Sequence, residues 1–492
     1  MTKYMLGIDI GTTNTKAALY SYSGEEIMVA LTTYDLHTNE TGAATQNPDE
    51  ITAAVYDVMM EITDKCAEEN INISFISFSS VMHSLLAVDE EGAPLTPVIT
   101  WGDRRSEPYV KNLENEKGSS IYHRTGTPIH PMSPLVKLLW LQHEQPEITK
   151  QADRFIGIKS YVLHQLFGEY YTDYSVANAT GLFNMHTLKW DKEALSIAGI
   201  TEEKLAKPLP TTQILPPLKP EVVEELGLQL ETQLVIGASD GCLSNLGVNA
   251  IKTDTVALSV GTSGAIRTVT NQPQTDKNER TFCYALTEDH WVIGGPVNNG
   301  GVILDWALEQ YGTVDHKTLM EEIKTAKPGA DGLFFHPYLV GERAPIWRAD
   351  VKGSFYGLSI HHQHAHMLRA ILEGINFNLY AVYHAISEVI GDGAEEILAT
   401  GGFTKSPVWV QMLADIFGIE IAITNVTENG CFGAALLGLL ATGEIDDFSD
   451  IGKMFKIKRQ YTPNQETHVF YQEHFEKYQK ITQHLLKLED DL

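Results

Sequence analysis

From Tyr4 to Ile10 apolar and small residues run without a helical period, and the same character returns from Thr15 to Tyr20. The polar stretch Gly11-Thr12-Thr13-Asn14 separates the two runs, so they read as a hairpin with a second turn near Gly24. After Asn47-Pro48-Asp49-Glu50 the period changes. Ile51, Val55, Val58, Met59 and Ile62 fall on one helical face behind an Asn cap and a Pro in the first turn. Ile71 to Val88 reads as strand again, and this alternation predicts α/β layers.

A second series begins in mid-chain. Leu234 to Ala238 is a buried-strand run that ends in Ser239-Asp240-Gly241, followed by a helical segment from Cys242 to Val248. Thr255 to Val260 is another strand, with the turn Gly261-Thr262-Ser263-Gly264 and a return strand to Val269. LGIDIGTT near the start and VALSVGTS here share a strand–Gly–Thr–Thr/Ser pattern, and only the first has an acid before the turn, Asp9 against Ser259. A repeat separated by half the chain predicts two similar lobes. They are expected over residues 1–246 and 247–492. Pro208 to Pro220 reads as a surface connection. Leu368, Ile371, Leu372, Ile375 and Leu379 mark a long amphipathic helix.

Charge narrows the function classes. The 492 residues carry a formal net charge of −28, which excludes a nucleic-acid partner, since phosphate backbones demand a basic surface. No apolar run reaches the roughly 18–20 residues of a membrane span, and the N-terminus lacks the pattern of a signal peptide. Cys66, Cys242, Cys283 and Cys431 are scattered and form no CxxC pair, which suits reduced thiols in the cytoplasm. His361, His362, His364 and His366 lack a helical i,i+4 pair with an acid between, so a loop without a metal is expected.

Several segments offer chemistry. Gly11-Thr12-Thr13 could cradle phosphate oxygens with backbone N–H groups and hydroxyls, with Lys16 adding charge; an ordinary hairpin turn has the same composition. Asp9 at a strand end suits Mg²⁺ held through water. Asp240 ends a strand beside a helix start, a place that faces the cleft in α/β folds, where a carboxylate can take a proton from a hydroxyl; a simple N-cap is the alternative. Leu398 to Gly402 is a strand running into paired glycines, where a flat ligand can approach the backbone.

Taken in order, these segments resemble the FGGY carbohydrate kinases of the actin-like ATPase superfamily. LGIDIGTTNTK matches the first phosphate loop, GASDG the base-bearing loop and SVGTSG the second phosphate loop. Gly353-Ser354-Phe355-Tyr356-Gly357-Leu358, followed by His366 to Glu373, matches a later signature. The resemblance implies two ribonuclease-H-like α/β lobes around a central cleft, ATP and Mg²⁺ as cofactors, Asp240 as general base and Asp9 as the metal-organising acid. It implies phosphate contacts from Thr12, Thr13 and Thr262, and a nucleotide site lined by Gly261, Gly301, Asp305, Gly402 and Ser406. Sugar contacts are implied for Met82, His83 and Trp101, mainly from the first lobe, with Arg104 and Arg105 beside them. The phrase TGTPIHPMSPLVKLLW, Thr125 to Trp140, is most similar to that of the bacterial gluconate kinases in the family. A sugar acid, D-gluconate, is therefore the expected substrate, with Arg104, Arg105, Lys159 and Arg343 as candidate partners for its carboxylate. Kinases of xylulose or glycerol, and a non-catalytic nucleotide-binding relative, stay open, as does a homodimer.

Overall fold

Strand β1 (Tyr4–Ile10) pairs antiparallel with β2 (Asn14–Ser21), and β2 with β3 (Glu26–Thr33). The computed structural model describes residues 3–113, 117–312, 315–391 and 393–491; residues 1–2, 114–116, 313–314, 392 and 492, which include the outer ends of both expected lobes, lie outside that description. Helix α1 (Pro48–Glu69) carries the chain across to β4 (Ile73–Ser80), which lies parallel to β1 with Asp9 opposite Ser79. The helix starts as its sequence dictates. The Asn47 side chain accepts from the Asp49 N–H, Pro48 opens the first turn, and Ile51, Val55, Val58, Met59 and Ile62 are buried. Strand β5 (Gln233–Ser239) completes the sheet β5-β4-β1-β2-β3. Between β4 and β5 lies an insertion with its own apolar core, to which helix α2 (Pro134–Glu144) contributes Leu135, Leu138 and Leu141.

The expected strand from Ile71 to Val88 is broken. β4 stops at Ser80, and the chain resumes pairing at Leu85, which bridges to Ile99, and at Leu86–Val88, against Arg154–Ile156. His83 takes a left-handed conformation, φ 65°, in the gap. The break lifts Met82 and His83 out of the sheet and into the cleft.

Helix α3 (Asp240–Leu246) leads into the second sheet. Its central hairpin is β6 (Thr255–Val260) and β7 (Gly264–Thr270), flanked by β8 (Phe282–Ala285) and β9 (Trp291–Val297). Helices α4 (Gly301–Tyr311) and α5 (His364–Ile390) precede β10 (Glu396–Thr400), which is parallel to β6. Helix α6 (Pro407–Phe417), β11 (Glu420–Thr424), helix α7 (Asn429–Ala441) and β12 (Ile457–Tyr461) follow. The order is β8-β9-β7-β6-β10-β11-β12. Without the edge strands β8 and β12, it repeats the first sheet strand for strand.

Helices α3 and α7 lie between the sheets and share one apolar core with Met5, Ala18, Leu243, Val269 and Phe432. Their contact is backbone to backbone: a Cβ on Gly433 would run into the Leu243 carbonyl, and one on Gly247 into that of Asn429. This packing sets the carboxyl ends of β1, β5 and β6 around one cleft.

Candidate active site

Asp240 is the first residue of α3, but it does not cap the helix. Ser239 does, accepting from the Cys242 N–H, so the Asp240 carboxylate is left to face the cleft and, among the described residues, accepts only from the Gly241 N–H, at 2.7 Å. Burial, with the nearby Asp9 carboxylate adding to it, pushes Asp240 up to about 7, against the pull of Arg267 and Arg343. A carboxyl held near neutrality is suited to exchanging a proton with a hydroxyl.

The cavity in front of Asp240 has a volume of about 420 Å³. The first lobe contributes Thr12, Met82, His83, Trp101 and Met132; the second contributes Gly261, Thr262, Arg267 and Arg343. His83 is sealed by burial, which lowers it to about 3, and its Nδ1 lies 2.7 Å from the Ala179 carbonyl. Trp101 donates from its indole N–H to Thr12 Oγ1 at 3.0 Å, and the Arg343 guanidinium lies 4.7 Å from the Trp101 ring centre. The Arg343 Nε donates to Asn298 Oδ1 at 2.7 Å.

A second cavity, of about 690 Å³, opens on the other side of the β6–β7 turn. Gly301 and Asp305 of α4, and Gly402, Phe403 and Ser406 ahead of α6, line it. Its apolar walls and glycine backbone suit a flat base. Gly261 and Thr262 line both cavities, so one turn stands between them.

Residues 4–247 match the N-terminal domain of the FGGY family of carbohydrate kinases, and residues 256–442 match its C-terminal domain. The chain belongs to this family. It is 50% identical to the gluconokinase of Bacillus subtilis over 475 residues, covering 94% of this chain and 92% of that one. Among solved structures, a gluconate kinase from Lactobacillus acidophilus superposes with a TM-score of 0.94 at 40% identity, covering 99% and 98% of the two chains. A ligand-bound xylulose kinase from the same organism gives the same TM-score of 0.94 and 40% identity, covering 98% of each chain.

FGGY kinases use ATP, and the remaining residues can be placed with that in mind. Asp9 is the last residue but one of β1, with Oδ1 accepting from Ser79 Oγ at 2.6 Å. Burial raises its carboxyl, which lies under the start of α7 so closely that a Cβ on Gly430 would meet it. Two acids of the first lobe, Asp9 and Asp240, thus repel one another at the floor of the cleft, a charge pattern that a cation relieves. Lys16 is paired with Glu428 at 2.7 Å, and Gly11 and Thr13 complete the first turn. Asp305 is exposed and lies 3.1 Å from His316; Ser406 caps α6 by accepting from the Trp409 N–H.

Arg104 and Arg105 are not at the Asp240 cavity. Arg105 makes paired hydrogen bonds to Asp103 and stacks on Trp140 at 4.4 Å, and both arginines line a different cleft, with Lys111 and Trp347. The cause is local: Asp103, two residues before Arg105, holds its guanidinium. Lys159 is buried against Asp173 at 2.7 Å and is likewise absent from the cavity lining. The two arginines that do line it, Arg267 and Arg343, both come from the second lobe.

Two buried groups behind the cavity had no sequence signal of their own. Lys137 of α2 donates to the carbonyls of His83 at 2.5 Å, Thr100 at 2.7 Å and Ile99 at 3.3 Å. Burial drops its ammonium to about 7. It ties the loop of Met82 to the loop of Trp101. Glu342 accepts from the Asn298 N–H at 2.5 Å, from Asn299 at 2.9 Å and from Asn378 at 2.8 Å, beneath the segment that leads into α4.

Proposed function

We propose that the chain transfers the γ-phosphoryl group of ATP to D-gluconate, giving ADP and 6-phospho-D-gluconate. The observation that carries this reading is the pair of cavities on either side of Gly261-Thr262, one apolar and glycine-lined, the other holding the free carboxylate of Asp240. Such an arrangement suits in-line transfer, which needs positioning and electrostatics more than covalent help. The choice of gluconate rests on the 50% identity to a gluconokinase.

In this reading Asp240 accepts the proton of the C6 hydroxyl as that oxygen bonds to phosphorus. Thr12 and Thr262 hold phosphate oxygens from the two facing turns. Asp9 suits Mg²⁺ held through water, since that ion keeps several waters and needs few carboxylates. Bound there, Mg²⁺ would neutralise charge on the phosphates. Lys16, fixed by Glu428, adds positive charge behind the first turn. Residues 1–246 form the sugar-binding lobe and 247–492 the nucleotide lobe, although the sugar cavity draws on both. The four cysteines are free and buried, and no helix among the described residues is long and apolar enough to cross a membrane; a cytoplasmic kinase fits both observations.

A second reading, xylulose as substrate, is favoured by Met82 and His83 in the cavity and by the likeness to a xylulose kinase structure. ADP release across D-gluconate, D-xylulose and glycerol separates the two. Turnover of gluconate with at least tenfold preference in kcat/KM is expected, and turnover of xylulose with none of gluconate sinks the proposal.

A further inference from the structure

The charged residues lining the Asp240 cavity are one acid and two arginines, Arg267 and Arg343. In a chain of net charge −28, two arginines thus wall the space where the sugar must lie, against the Asp240 carboxylate and Asp9 behind it. Neutral polyols do not require such a pair. His83, at about 3, adds no charge to the count.

The two arginines differ from the protein's structural ones. Arg105, Arg124 and Arg280 each have a carboxylate partner within hydrogen-bond distance. Arg267 has none among the described residues, and its Nε is shielded from solvent without a hydrogen-bond partner. Arg343 uses Nε on Asn298 and Nη2 on the Val297 carbonyl at 3.5 Å, and its Nη1 makes no hydrogen bond among the described residues. An orphaned buried donor costs free energy, more so when charged. Arg267 carries such a donor, Arg343 lines the same cavity with its Nη1 unbonded among the described residues, and the pair suits an anion there.

Their placement follows from the strand. On β7, Arg267 lies two residues before Val269 and so shares its face, the one turned toward α3; nearer the turn than Val269, it reaches the cleft beside Gly241. It passes close to Gly241, whose Cβ would come within 3.6 Å of Arg267 Nε and 2.7 Å of the Met82 methyl. Gly241 thus leaves room for the guanidinium to sit beside the base without displacing it.

We propose that Arg267 and Arg343 form the site for the substrate's carboxylate, and so select sugar acids over neutral sugars. This deepens the gluconate reading and rests on it. The C1 carboxylate would lie on the two guanidinium groups, which match its planar geometry, with the C6 hydroxyl at Asp240.

The test compares D-gluconate with D-gluconamide, which keeps every hydroxyl and removes the charge. Steady-state kinetics and calorimetric binding are measured for the native protein, Arg267→Met, Arg343→Met and the conservative Arg267→Lys. The native protein should prefer gluconate. Arg267→Met should raise KM for gluconate about 10- to 100-fold, the range for losing charge-assisted hydrogen bonds, and leave KM for ATP and for gluconamide within about twofold. Arg267→Lys should recover part of the preference. Equal losses on both compounds, or a fall in kcat alone, would overturn the proposal and assign the arginines to the phosphoryl group. Should the native protein not bind gluconate, calorimetry with D-galactonate and D-glucuronate decides. Binding lost in Arg267→Met keeps the carboxylate site while the gluconate reading falls; no binding of either acid ends both.

Discussion

Across the first turn Ile10 pairs with Thr15, whereas across the second Val260 pairs with Gly264. The two hairpins share the Gly-Thr opening, yet the second turn is one residue shorter. Its Gly261 N–H bonds to the Ser263 carbonyl, where Gly11 reaches Asn14. A slip of one residue moves every side chain of the return strand to the other face. In the first lobe Lys16 therefore pairs across from Asp9, while in the second Ala265 lies opposite Ser259 and Arg267 comes round to the cleft. One lobe supplies the acids and the other supplies the arginines. A duplicated device has thus taken two roles, through a change in turn length and a change from acid to serine.

The asymmetry is open to attack at several points. The largest effect is expected at Asp240. Asp240→Asn should lower kcat by about 10²- to 10⁴-fold, as loss of a general base does. Thermal unfolding at pH 8 adds a control with a definite sign. A carboxyl raised to about 7 in the fold, from an ordinary value near 4, contributes stability only below that ordinary value and loses it as pH rises through 7. The Asn variant should therefore melt no lower than the native protein at pH 8. For the native enzyme kcat/KM should rise about tenfold per pH unit below 7 and level off above it. A flat profile from pH 5 to 8 would remove Asp240 from the base role.

Next comes the contrast between the two turns. Asp9→Asn should cut kcat by about 100-fold, the scale of one strong electrostatic contact, and shift half-saturation to higher Mg²⁺. Ser259→Ala should stay within about twofold. Equal losses at both positions would mean that the lobes are used symmetrically. The smallest effect is expected at Lys137, a positioning residue. Lys137→Met leaves three carbonyls without their shared donor and should raise the sugar KM about tenfold with the ATP KM unchanged. A rise in both would show a general loss of structure.

Much of this was legible in the chain. The Asn47 cap and the 3.6-residue period fixed α1, and the echo of LGIDIGTT in VALSVGTS marked two lobes, because local propensity and buried face agree in both. Asp240 was legible as a strand-end acid; that Ser239 takes the capping role could be checked only in three dimensions. Among the arginines, Arg343 was named from the sequence and does line the cavity, whereas Arg104 and Arg105 lie elsewhere and Arg267 was missed. Arg104 and Arg105 stand beside Trp101 in sequence, but Asp103 captures Arg105 locally. Arg267 lies in an apolar strand, and its orientation depends on a turn one residue shorter than its counterpart. Strand register arises from pairing, and residue pattern alone does not record it.

Gly261-Thr262 stands as a thin partition between the two cavities, and this has a use in inhibitor chemistry. Adenosine joined to a sugar acid through a chain of phosphates could lie across the partition, with one end in each compartment. The second end would then bind at the high effective concentration set by the tether, and avidity can exceed either single affinity by about 10²–10⁴. Because the far end would need a carboxylate to suit Arg267 and Arg343, such a compound would discriminate among kinases that share the nucleotide half and differ in the other.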